Sequence, residues 1–141
     1  AVGITKPILP ILIWLTLLVL IAGTIVTGSG PHAGDEQAQR FGFDPRVVSW
    51  LHADLVIALL VLTSMLFLIT RQLELRIINK RVGLFLFICL AQGTVGYVQY
   101  FTGLPVVLVA IHLLGATLVW VCGWSLIKVA DSGFKLRGFQ L

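Results

Sequence analysis

Four long apolar runs, separated by short polar segments, account for most of the chain: residues 8–27, 47–70, 82–101 and 105–129. Each reaches the length of about 20 residues that an α-helix needs to cross a bilayer core. The first two runs are joined by "GSGPHAGDEQAQRFGFDPR", which is polar and rich in Gly and Pro. The second and third are joined by "RQLELRIINKR", and the third and fourth by the tight turn "TGLP". Short connections make successive helices antiparallel neighbours. The pattern predicts one all-α integral membrane domain over residues 1–141, an up-down four-helix transmembrane bundle. "GTIVTGSG" in the first run resembles "GTVGYVQYFTG" in the third, which predicts a parallel pseudo-repeat of two hairpins.

Composition agrees with the runs. Hydrophobic residues make up 58% of the chain and charged residues 11%, against about 25% charged in a soluble domain. The net charge of +4 does not point to nucleic acid, because the basic residues flank the apolar runs as membrane-boundary charges do. Lys6, Arg71, Arg76, Lys80, Arg81, Lys128, Lys135 and Arg137 fall on one side, and only Arg40 and Arg46 on the other. The positive-inside bias predicts cytoplasmic termini and an external 28–46 loop. The chain opens on Ala1 rather than Met, as expected of a processed or partial product. Residues 8–26 form too long a run for a cleaved signal peptide and lack its A-x-A-like end. Cys89 and Cys122 both lie inside apolar runs with no C-x-x-C, so they read as small buried hydrophobes and not as a zinc, dithiol or c-type haem site. Phosphate-binding Gly loops, H-E-x-x-H and G-x-S-x-G are all missing.

Two of the runs carry a histidine. His52 in "VVSWLHADLVIALLVL" and His112 in "PVVLVAIHLLGATLVWV" both enter their spans from the same side. At 1.5 Å per residue both lie on the order of 10 Å below that boundary. A lone histidine near a membrane edge is satisfied by loop backbone or water. Two at one depth on diagonal helices face each other across the bundle centre, the arrangement that two axial ligands of a planar cofactor need. An ionisable residue inside a span is a functional candidate by default.

Gly115 and Ala116 lie one turn below His112, and Gly93, Gly96 and Gly23 lie on neighbouring spans. Small residues there serve close helix packing, the common case in membranes, or leave room for a macrocycle. Asp54 points about 200° away from His52 around its helix, so it is expected to form a boundary ion pair with Arg40 or Arg46. Arg40 and Arg46 share the histidine side and suit the acidic edge groups of a cofactor. Gln92, Gln99, Tyr97 and Tyr100 can orient an imidazole or line a proton path. His32, in "SGPHAGD", reads as a solvated loop residue.

"VTGSGPHAGD", "WLHADL", "GYVQYFTGLP" and "IHLLGA", in that order and spanning nearly the whole chain, closely resemble the carboxy-terminal four-helix half of bacterial haem A synthase. That family oxidises the C8 methyl of haem O to the formyl of haem A in the plasma membrane. Its full form has eight helices in two homologous halves, each with histidines on its second and fourth helices facing a haem. The resemblance implies that His52 and His112 are axial iron ligands of a haem b, with haem O as substrate of the full enzyme. It implies the amino-terminal half as partner, with a haem O synthase and an electron donor as further ones. The family's amino-terminal half carries an acid three positions before its first histidine, where this chain has Ser49, and often a loop cysteine pair, which residues 28–46 lack. Both departures fit the half that holds a resident haem b, leave no catalytic residue in this chain, and imply that it is one half of a larger oxidoreductase. A stand-alone b-type electron-transfer cytochrome, a half-length synthase acting as a homodimer and a haem assembly factor are the other readings the residues leave open.

Overall fold

The structure, a computed structural model, describes residues 5–31 and 37–138, without the side chains of Lys6 and residues 131–138. Four helices make up the fold: α1 (Thr5–Ser29), α2 (Pro45–Gln72), α3 (Arg76–Phe101) and α4 (Val106–Gly138). All four contain stretches long and apolar enough to cross a membrane: Pro7–Ser29, Pro45–Gln72, Arg76–Phe101 and Val106–Ala130. Helix α1 packs on α2, α2 on α3, α3 on α4 and, less extensively, α4 on α1. This closes the expected up-down bundle, with α2 and α4 on one diagonal. One end carries residues 30–31, 37–44 and the 102–105 turn, and is called here the long-loop end. The other carries the 73–75 turn and is the basic end. His32, Lys135 and Arg137 fall outside the described side chains.

The third helix starts six residues before the expected 82. "RQLELRIINKR" is not a loop but two helix ends joined by residues 73–75. Its charged residues are compatible with helix because Arg71, Arg76, Lys80 and Arg81 stay exposed while Leu75, Ile78 and Val82 turn into the core. The junction closes with the Leu75 N–H donating to the Thr70 carbonyl at 3.0 Å, a helix stop that requires a left-handed residue, here Glu74 at φ 54°. Asn79 pins α3 to α2 by donating to the Phe67 carbonyl at 2.8 Å and to Thr70 Oγ1 at 2.9 Å.

The two ends are packed differently. Leu12, Leu66, Val82, Phe85 and Leu126 are fully buried, and all lie toward the basic end. Thr16, Thr63 and Thr70 join this core because each hydroxyl donates to the carbonyl four residues earlier, at 2.7, 2.7 and 2.9 Å. Lipid tails are as apolar as leucine, so close packing and satisfied polar groups, not exclusion of water, hold such a core together. Gly123 lets α4 approach α1 and α3: a Cβ there would lie 3.2 Å from Ile13 and 3.3 Å from Phe85. Toward the long-loop end this tight core gives way to a cavity.

Candidate functional site

Local signals at the long-loop end set the depth of both histidines. Asp44 caps α2 by accepting the Arg46 N–H at 2.8 Å, with Pro45 in the first helical position. Helix α3 stops where the Leu104 N–H donates to the Gln99 carbonyl at 2.8 Å. Gly103 and Leu104 both take left-handed backbone there, at φ 81° and 59°. Glycine adopts that conformation freely, whereas Leu104 does so at a cost of about 1–2 kcal/mol. Pro105 then precedes α4. Each histidine sits about two turns from its helix start, and the two rings meet across the diagonal with centroids 6.5 Å apart and planes at 87°.

Each ring lies in a notch of the preceding helix in its own hairpin. A Cβ at Gly23 of α1 would stand 3.2 Å from His52 Cε1, and one at Gly96 of α3 would stand 3.2 Å from His112 Cε1. Four residues before each notch, a backbone carbonyl faces the ring: Val19 for His52 and Gln92 for His112. Neither carbonyl closes a full hydrogen bond, and both Nδ1 atoms are buried without a partner among the described residues. Nε2 is not buried in this way on either ring, and both rings lie in the cavity wall. The two hairpins repeat this Gly–His contact, in a register shifted from the sequence match. The shared Gly-Thr of the two stretches matches Gly23 to Gly93, whereas their role against the histidines matches Gly23 to Gly96.

The cavity measures about 320 Å³ and is lined by side chains of all four helices, mostly apolar, with both histidines in its wall. Its exposed lining residues, among them Trp50, Ile57, Tyr97 and Phe101, come from α2 and α3. The cavity thus opens sideways between those two helices. Gly93 and Ala116 line it, and a Cβ at Gly93 would meet nothing within 4 Å. Ser49 also lines it, with its hydroxyl donating to the Pro45 carbonyl at 2.6 Å. Gln92 and Gln99 lie in the wall, each with a buried Oε1 that finds no donor among the described residues.

Several expected members lie elsewhere. Gly115 faces the Gln92 side chain, which would clash with any Cβ there; it serves helix packing and leaves no room for a ligand. Arg40 and Arg46 are at the correct end but not in the cavity wall. Arg40 Nη2 donates to the Pro31 carbonyl at 3.2 Å, and Arg46 extends from the exposed first turn of α2. The Asp54 ion pair is not formed with either arginine, because the first turns of α2 carry Asp54 outward along the bundle side, away from the loop. The notch pairing, the carbonyls of Val19 and Gln92, and the aromatic mouth at Trp50 and Phe101 had no signal in the sequence beyond the residue types. No protein-family model, no curated protein and no solved structure matches the chain.

Proposed function

We propose that the chain holds one haem b between His52 and His112, as the haem b half of a haem A synthase. The facing histidine pair carries this reading. His52 and His112, with ring centroids 6.5 Å apart in the cavity wall, would hold the group between them, and their imidazoles are a donor pair that suits a haem iron. The Nε2 atoms would supply the ligands. The buried Nδ1 atoms are left with a proton to donate, and the Val19 and Gln92 carbonyls are the acceptors nearest at hand in each notch, as axial histidines require of their surroundings. Gly23 and Gly96 give each ring its place against the neighbouring helix. The apolar wall excludes water and suits a macrocycle arriving from the bilayer through the α2–α3 opening.

When bound, haem supplies a one-electron couple. His52 and His112 would hold this group, and the apolar cavity wall would insulate it from water. Ser49 stands where the catalytic half of the family has its acid, and its hydroxyl is already committed to Pro45. Electron transfer is therefore the role of this chain, with oxidation of haem O assigned to a partner half. Arg40 and Arg46 lie at the end where acidic edge groups of the macrocycle would emerge.

Purified chain supplied with haem b should take up one equivalent and give a six-coordinate low-spin optical spectrum. With ligand planes held near 87°, electron paramagnetic resonance should show a single, strongly anisotropic low-spin signal. Supplied with haem O instead, the chain should yield no haem A by chromatography. A purely high-spin spectrum would overturn the ligand assignment, and clear formation of haem A would overturn the division of labour.

The same reading gives an orientation in a bacterial plasma membrane: termini and basic end cytoplasmic, long-loop end outside. In a background with Cys89 and Cys122 replaced by alanine, Gly42→Cys should react with an impermeant thiol reagent added outside whole cells. Gln72→Cys should react only after permeabilisation. The opposite pattern would reverse the orientation.

A further inference from the structure

Asp54 is on the outside of the bundle. It is exposed, and the residues three, four and seven positions to either side of it are apolar and exposed. Val47, Trp50 and Leu51 precede it at 63%, 54% and 57% exposure, and Ile57 and Val61 follow at 50% and 55%. Ala58, also exposed, lies one turn further on. These spacings define one continuous helix face, and Asp54 is at its centre. Asp54 itself points away from His52, two positions along the helix, while one edge of the face, Trp50 and Ile57, borders the cavity mouth.

A carboxyl group here finds no partner among the described residues. Arg46 is eight residues nearer the long-loop end, about 12 Å along the axis. Arg40 is turned to the Pro31 carbonyl. At roughly 10 Å below the boundary the short aspartate side chain cannot reach the headgroups as a lysine or arginine does. Intramembrane acids almost always face a bundle interior, a water-filled space or a cationic partner.

We propose that this face of α2 docks a transmembrane helix of another segment or protein that presents a basic side chain at the depth of Asp54. Charge complementarity selects that occupant. A second copy of the chain is a poor one: a parallel copy on the same face sets Asp54 against Asp54. The described basic side chains lie at the two ends of the bundle, and none lies at this depth. Ala58 gives the partner backbone a place to approach, and the flanking Trp50, Leu51, Ile57 and Val61 supply the apolar packing around the pair.

The test uses the purified full chain in phosphatidylcholine nanodiscs, whose net-neutral headgroups do not compete for the cation. The probe is a synthetic transmembrane peptide of leucine and alanine with one arginine placed about seven residues below its outer end. An all-apolar peptide and one with the arginine two turns deeper serve as controls. Binding is read by energy transfer between a dye on the peptide and a dye on the chain. The matched arginine peptide should bind at least about tenfold more tightly than either control. That preference should vanish in Asp54→Leu and weaken in Asp54→Asn, with helicity unchanged in both. Equal binding of all three peptides would overturn the proposal, as would an arginine preference that survives Asp54→Leu. Asp54-dependent self-association without peptide would make a second copy the occupant and overturn it too. None of these outcomes depends on haem being bound.

Discussion

His52→Ala and His112→Ala should each abolish the six-coordinate low-spin spectrum completely, leaving the chain haem-free or with a five-coordinate high-spin haem. Both rings lie in the cavity wall with centroids 6.5 Å apart, and on the proposed reading each supplies one of the two ligand nitrogens. The haem-free chain should respond differently to the same substitutions. There each histidine has a buried Nδ1 with no partner, a burden of about 1–3 kcal/mol that the substitution removes while it gives up ring packing. The unfolding temperature of the empty variants should therefore stay within a few degrees of the parent. Loss of the spectrum together with an intact empty fold distinguishes ligands from structural residues. An unchanged low-spin spectrum in both single variants would sink the assignment.

Gly23→Val and Gly96→Val should come close to the same loss without touching a ligand. A Cβ at either position already meets Cε1 of the ring at 3.2 Å, tighter than ordinary contact, and valine adds two methyl groups behind it. Overpacking of this kind costs about 1–3 kcal/mol. Here the element that can yield is the imidazole, whose displacement takes Nε2 off the line between the two rings. The expected result is a mostly high-spin or haem-free protein. Gly23→Ala and Gly96→Ala should retain low-spin haem but shift the resonance signal, because the ring plane must turn. Gly93→Ala is the control: no atom lies within 4 Å of its Cβ position, so axial ligation should persist. Unchanged low-spin spectra in both Gly23→Val and Gly96→Val would show that the notches do not orient the rings.

The sequence revealed the frame of this arrangement but not its joinery. Run lengths gave four spans, and helix spacing put His52 and His112 at one depth, because rise and period are properties of a single helix. The basic segment at 71–81 reads as a connection between runs for the same reason: its apolar positions Leu75, Ile78 and Val82 have value only against a neighbour that packs on them. Gln92 and Gln99 were legible as polar residues on α3, but their burial within the cavity wall was not.

The sequence by itself determined an all-α membrane bundle, the antiparallel order of its helices, and two histidines entering from one side on diagonal helices. Hydropathy, period and connection length decide these, and each can be read along one dimension. The tertiary structure alone decided the rest. It chose Gly96 over Gly93 as the counterpart of Gly23, gave Gly115 to the Gln92 side chain, kept Arg40 and Arg46 out of the cavity wall, and left Asp54 on an open face. Each of these depends on the rotation and vertical register of one helix against another. Those are fixed by which side chains interlock between helices far apart in the chain, and the hydropathy pattern of any single helix is the same for many such settings.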